Sequence, residues 1–168
     1  PLELRARAIV IAVGARPTPL PLEAGAAFLA TSDDFLHLDA LPGEVTFVGG
    51  GYVGMELAFI AALAGARVRV LHRGRRPLPG FGELAGRAVA GAARSRGVDL
   101  RTEREVIRIS PSDRPGRFAV TTRPAHPSQS APAGQEETHE TDLVVHAAGR
   151  RPDLDALGVD ELGLETRA

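Results

Sequence analysis

The sequence contains no cysteine, no lysine and no tryptophan, and only 4% of its residues are aromatic. Without cysteine, a disulfide framework, a thiolate metal site and a catalytic thiol are excluded within the chain. Without lysine, the lysine of a P-loop, a Schiff-base lysine and a kinase lysine are excluded by inspection. Few aromatics means no platform for stacking nucleic-acid bases. An excess of one charge is missing too: 20 basic residues, all arginine, stand against 21 acids for a formal net charge of -1. Nothing therefore draws the chain to nucleic acid or to an anionic membrane. No apolar run approaches the roughly 20 residues that span a bilayer and no signal peptide is visible, so a cytoplasmic chain is expected. What is present is 43% hydrophobic residue over 168 positions, which suits one domain, or one domain with part of another. The first residue is Pro1 and the one methionine is Met55, from which a fragment is expected.

Ala6 to Val13 is a continuous apolar run and predicts a strand buried on both faces. Pro17 to Gly25 holds three prolines and reads as a linker. Thr31 or Ser32 is expected to cap a short helix over Asp33 to Leu38, whose paired acids suit the positive helix end. Val45 to Val48 reads as a short strand. Tyr52 to Leu63 reads as a helix facing inward through Leu57, Ile60, Ala61 and Ala64, and Arg67 to His72 as a second strand. Together they predict a βαβ unit. A second helix over Glu83 to Arg96 is expected to turn Leu84, Ala88 and Ala92 inward, ahead of a third short strand at Val98 to Leu100. The period then changes, and Glu105 to Ser110 with Arg117 to Thr122 read as antiparallel strands. Arg123 to Thr138 is polar and of low complexity, the expected mobile tip of a hairpin. Leu143 to Ala148 reads as another buried strand.

Gly49-x-Gly51-x-x-Gly54 lies between a predicted strand and a predicted helix start, the setting of a dinucleotide fingerprint. Gly49 permits the tight turn, Gly51 lets main chain approach a pyrophosphate, and Gly54 lets helix and strand pack closely. Free N–H groups at the positive helix end would then bind the pyrophosphate. A purely structural glycine turn is the alternative. The end of the second strand bears on which dinucleotide is bound, since an acid there suits the ribose hydroxyls of NAD. This chain has His72 and Arg73, followed by Arg75 and Arg76. Such cations favour the 2′-phosphate of NADPH at about 1.5–3 kcal/mol per charge-assisted contact. A solvated arginine loop is the alternative, and Gly rather than Ala at position 54 points toward NADH. His37, His126 and His139 with Glu136, Glu137 and Glu140 show no helical pairing, so no metal site is expected. No G-x-S-x-G segment or nucleophile–base pair supports hydrolase chemistry.

The run Gly49-Gly50-Gly51-Tyr52-Val53-Gly54-Met55-Glu56-Leu57-Ala58 resembles the nicotinamide-dinucleotide motif of the pyridine nucleotide–disulfide oxidoreductases. These are FAD enzymes such as glutathione reductase, dihydrolipoamide dehydrogenase and mercuric reductase. Three further segments agree in order and spacing. Ile9 to Pro17 resembles the family's strand and turn, with Val13 where Thr is usual. Thr31-Ser32-Asp33-Asp34 with Leu41-Pro42 resembles its interdomain connection, and Asp142 to Pro152 its returning strand and turn.

The resemblance implies an α/β fold: a Rossmann-like NAD(P)-binding domain with a parallel sheet, flanking helices and an antiparallel β-meander. A terminal strand from a truncated FAD domain is implied beside it. It divides the chain into 1–40, an FAD-domain strand and connection; 41–148, the NAD(P)H-binding domain; and 149–168, a return segment. Tyr52 and Glu56 are its catalytic candidates. Tyr52 would cover the flavin and give way to nicotinamide, with an interfacial core tyrosine as the alternative. Glu56 would lie near the nicotinamide carboxamide, with an exposed helix acid as the alternative. Gly49, Gly50, Gly51, Val53 and Gly54 would form the phosphate turn, His72 and Arg73 would meet the 2′-phosphate, Val106 the adenine and Gly149 the nicotinamide ribose. His146 is expected to be a satisfied structural histidine. The implied function is to position NADPH or NADH for hydride transfer to FAD. The parent would be a longer, homodimeric flavoenzyme whose FAD domain is the partner, and the chain alone would be inactive. A cysteine-less NADH oxidase or ferredoxin-reductase-like flavoprotein, and a stand-alone dinucleotide-binding redox sensor, are the other readings.

Overall fold

The computed structural model describes residues 3–126 and 135–159, with 161, 163 and 165. Its elements are β1 (Ala15–Pro17), β2 (Leu29–Thr31), α1 (Ser32–Leu36), β3 (Glu44–Val48), α2 (Tyr52–Leu63), β4 (Arg67–His72) and α3 (Gly82–Ser95). They are followed by β5 (Asp99–Thr102), β6 (Arg104–Pro111), β7 (Phe118–Pro124), β8 (Glu137–Thr141), β9 (Leu143–His146) and β10 (Arg150–Pro152). Five strands form a parallel sheet in the order β2-β9-β3-β4-β5. Strands β6, β7 and β8 form an antiparallel meander, and β1 pairs with β10 as a separate antiparallel ribbon. The fold is therefore α/β, with the parallel sheet, helices and meander that the sequence leads one to expect. No helix among the described residues is long and apolar enough to cross a membrane.

Period-two alternation in the central strands sets the layers. Val45 and Phe47 of β3 and Val68 and Val70 of β4 pack with Met55, Leu57, Ala58 and Ala61 of α2 and Ala93 of α3. Val48 and Leu71 point to the other face, against Val106, Ile109 and Val120 of the meander. The sheet is thus covered on both faces, which is why its central strands carry apolar residues in both registers. Fully burying a side chain such as Phe47 contributes about 1.5–3 kcal/mol.

Helix ends follow from local chemistry. Thr31 caps α1 in a capping box with Asp34. Both longer helices stop in Schellman motifs at left-handed glycines. At α2, Ala66 N–H donates to Ala61 O at 3.0 Å and Gly65 N–H to Ala62 O at 3.1 Å. At α3, Val98 and Gly97 make the equivalent bonds to Ala93 and Arg94.

Four expectations are corrected. Ala6 to Val13 is not a buried strand: Ile9 and Val10 are 84% and 87% exposed, and no strand among the described residues pairs with it. Only Ala15–Pro17 next to it is extended in a ladder, and its partner is the turn segment Arg150–Pro152. On α2, Ile60 and Ala64 face solvent, because Ile60 lies roughly 120° round the helix from the buried Gly54. On α3, Leu84 and Ala88 are exposed and Ala92 is half-buried, while Gly86 and Ala93 are buried. That face is selected by close approach, since a Cβ on Gly86 would come within 2.8 Å of Pro77 O. Finally, the polar segment expected to be a hairpin tip contributes Arg123 and Pro124 to the end of β7 and Glu137 and Thr138 to the start of β8. Residues 127–134 of that segment lie outside the described residues.

Candidate functional site

The glycine turn connects β3 to α2, and its three motif glycines meet very different surroundings. Gly49 has φ +117°, and a Cβ there would lie 2.3 Å from Ala147 O. A Cβ on Gly54 would lie 2.1 Å from Gly49 O and 3.1 Å from Ala147 Cβ. Both positions are closed by the protein itself. Gly51 is extended at φ −74°, and a Cβ there would meet nothing nearer than Ala147 O at 4.0 Å. The turn is therefore shut at Gly49 and Gly54 and open at Gly51.

The amides divide in the same way. Gly49 N–H donates to Leu71 O at 2.8 Å, Gly50 N–H to His72 Nδ1 at 3.2 Å, and Met55 N–H to Gly51 O at 3.0 Å. Between them the N–H groups of Gly51, Tyr52, Val53 and Gly54 meet no acceptor among the described residues, and no side chain caps α2. These are the orphan donors of a helix start, at its positive end. Leu78 N–H fixes the turn from outside by donating to Gly50 O at 2.8 Å.

The turn opens onto a cleft of about 510 Å³. Gly49, Gly50, Gly51, Tyr52, Val53, His72, Arg73, Val106 and Gly149 all line it. Tyr52 stands at the mouth, 57% exposed, and Val106 is buried in β6 beside a bulge. Gly149, at φ +120°, accepts from Thr18 N–H at 3.0 Å. Two candidates do not reach the wall: Gly54 lies beneath the turn, and Glu56 is exposed one turn along α2 from Tyr52.

His72 and Arg73 divide the role assigned to them. The His72 ring turns inward, accepts from Gly50 and packs against Gly74, where a Cβ would come within 2.7 Å of Nε2. Burial lowers its pKa, and the Arg73 guanidinium adds to that, so the ring is neutral at pH 7. Arg75 lies 3.6 Å from Glu103 and Arg76 3.1 Å from Glu83. Arg73 alone of this loop lines the cleft and has no ion pair among the described residues. His146 donates from Nε2 to Thr18 O at 2.6 Å and accepts Ala148 N–H on Nδ1 at 3.3 Å, using both ring nitrogens. Among the described residues, no group of three His, Asp or Glu is placed to hold a metal ion.

Apart from Arg150, which follows Gly149 in the turn that resembles the family's and is expected on the flavin side, the other lining residues carry no signal in the linear sequence. Pro17 to Pro21, read as a linker, forms one wall, and Arg104, Glu105 and Pro79 others. Arg150 lines the cleft while donating to Ala15 O at 2.5 Å and lying 3.7 Å from Asp33. These contacts join residues more than a hundred positions apart, and no local pattern encodes them.

A family model for pyridine nucleotide-disulphide oxidoreductases matches residues 2–168. The chain is 32% identical to dihydrolipoyl dehydrogenase 3 of Haloarcula marismortui, over 95% of this chain and 32% of that protein. It is 33% identical to glutathione reductase of Burkholderia cepacia, over 95% of this chain and 33% of that protein. It superposes on the Cu(II) complex of the HOCl-induced flavoprotein disulfide reductase from Escherichia coli with a TM-score of 0.73 and 26% identity, covering 92% of this chain and 32% of that one. The chain spans about a third of the length of each.

Proposed function

Because the chain belongs to the pyridine nucleotide-disulphide oxidoreductase family, whose members depend on FAD and NAD(P), we propose that it is the nicotinamide-dinucleotide-binding domain of such an oxidoreductase. The observation that carries this reading is the uneven closure of the glycine turn. Two glycines are filled against by protein, one faces open space, and four amides behind it lack acceptors among the described residues. A pyrophosphate fits that cradle, since amides at a positive helix end bind anions without a charged side chain.

In this reading the amides of Gly51 to Gly54 hold the pyrophosphate. Arg73 meets a 2′-phosphate, Val106 the adenine, and Tyr52 and Gly149 flank the nicotinamide end. Glu56, exposed beside Tyr52, is left for the carboxamide. When bound, the nicotinamide supplies a hydride for which the family's flavin is the acceptor. The chain's own share is to bind, to orient and to exclude water. Residues 41–148 form the nucleotide domain together with β2 and α1, since β2 pairs with β9 in the parallel sheet and Phe35 packs on Phe47; the rest of 1–40 and 149–168 belong with an FAD domain. The β1–β10 ribbon supports that division, because it brings the segments entering and leaving the parallel sheet side by side.

Calorimetric titration of the purified chain with NADPH and NADH tests the reading. Saturable binding of both, tighter for NADPH, is expected from a colourless protein. Failure of either nucleotide to bind removes it.

A further inference from the structure

Arg104 lines the cleft and also a second cavity of about 310 Å³, set between the parallel sheet and the meander. Among the described residues, the two cavities share only Arg104 and Leu71 in their walls. The second one is ringed by cations from three strands: Arg69 of β4, Arg101 of β5 and Arg104 of β6. Alternation along the strands puts them there. Arg69 pairs with Asp99 and Leu71 with Arg101 in the ladder, and Leu71 packs on the meander face.

These cations are poorly matched. Asp99 accepts from Arg69 Nε at 2.7 Å and from Arg101 Nε at 2.6 Å, so one carboxylate serves two guanidiniums. The terminal nitrogens of both make no hydrogen bond among the described residues. Arg104 Nη2 lies 2.9 Å from Glu137 Oε1, yet neither Nη2 nor Nε makes an aligned hydrogen bond, and both are buried. Among the described residues, three guanidiniums thus face two carboxylates, Asp99 and Glu137. His139, also in the wall, adds no charge at neutral pH, because burial and the Arg69 cation lower its pKa to about 4. A structural ion network looks different: beside β3, two carboxylates, Glu44 and Asp142, meet two cations, Arg67 and Arg117.

We propose that this second cavity binds a phosphoryl oxyanion, either free phosphate or the phosphate end of a small ester, on the guanidinium forks of Arg69, Arg101 and Arg104. Planar forks match oxyanion geometry, and charge-assisted bonds are strongest where water is partly excluded. The anion supplies the negative charge that the local carboxylates do not.

The test is a titration of the 15N-labelled chain with inorganic phosphate at constant ionic strength, read on the arginine Nε–Hε resonances. Saturable shifts at the three arginines are expected, beside any at Arg73, and those at the three persist when the cleft is first saturated with NADPH. Arg101→Gln, at a half-exposed side chain, is expected to weaken phosphate about tenfold. Asp99→Asn frees both forks and should tighten it severalfold. Glycerol phosphate distinguishes the sources: tighter binding than phosphate identifies an ester, weaker binding the free ion. Shifts at the three that never saturate, shifts there abolished by NADPH, or equal affinity in Arg101→Gln overturn the proposal. The phosphate titration stands whether or not a nucleotide binds the cleft, so the two readings fail separately.

Discussion

The three motif glycines offer a test in which stability and binding separate. At Gly51 an added Cβ meets nothing nearer than 4.0 Å, and φ −74° suits any residue. Gly51→Ala gains about 0.4–1 kcal/mol from the unfolded chain's lost freedom and loses a similar amount because alanine caps a helix poorly. The net change in stability is therefore within about 1 kcal/mol. The new methyl group stands in the space of the pyrophosphate and pushes it off at least one or two charge-assisted amide contacts. That costs about 3 kcal/mol, roughly 150-fold in Kd. Gly54→Ala behaves in the opposite way. Its Cβ would sit 2.1 Å from Gly49 O, main chain that cannot swing aside, so helix and strand must part. The cost is about 1–3 kcal/mol of folding stability, and Gly49→Ala adds strain at positive φ to a 2.3 Å overlap. Thermal unfolding together with NADPH titration of the three variants reads both quantities. Undiminished binding by Gly51→Ala would falsify the phosphate cradle. A fall in Tm for Gly51→Ala as large as for Gly54→Ala would show that the turn is closed there.

Three further outcomes follow from the side chains. Arg73→Glu places a carboxylate at the one cation of the arginine loop without an ion pair among the described residues and should reverse the order of NADPH and NADH affinities; titrations that leave the order unchanged would separate Arg73 from the 2′-phosphate. His139 stays neutral in the folded chain down to about pH 4, while the unfolded chain takes up the proton near pH 6.5, so stability falls as pH drops through that window. Allowing for partial exposure, urea unfolding at pH 7 and pH 4.5 should differ by about 1–2 kcal/mol through this group, and His139→Gln should flatten the dependence. Arg117 bridges Glu44 and Asp142 at side chains 19%, 21% and 31% exposed. Arg117→Met leaves Glu44 to Arg67 but strands the half-buried Asp142, and should cost about 1–2 kcal/mol; no measurable loss would mean that solvent already screens it.

The parts of the fold that were legible in the sequence are those with local causes. The β3–α2–β4 unit announces itself because an apolar run, a glycine turn and an alanine-rich helix each obey nearest-neighbour chemistry. Strand β8 does not: Glu-Thr-His-Glu-Thr has no apolar period, and its place comes from pairing with β7 and from Thr46 bonding His139 at 3.1 Å. Strands β2 and β10, three residues each, exist through their partners. In the site, residue identity was legible but direction was not. His72 reads as a cation beside Arg73, whereas the bare Cα atoms of Gly50 and Gly74 leave room for its ring to fold under the turn.

The position of the cleft follows from strand order. From β3 the chain turns through α2 to β4 on one side, while β9 returns on the other, so a crevice opens beyond the ends of β3 and β9. Residues following both strands must be small for that crevice to hold main chain. Gly49 abuts Ala147, and Gly54 abuts both. The next contacts fasten distant segments to the same point: His146 holds Thr18, Thr18 holds Gly149, and Arg150 holds Ala15. The glycine fingerprint therefore supplies only one wall. Its openness depends on the residues that follow β9 and on a proline-rich segment that comes before β2 in the chain. A chain with the same fingerprint but bulky residues at 147 and 148 would present the same motif and no room for a ligand.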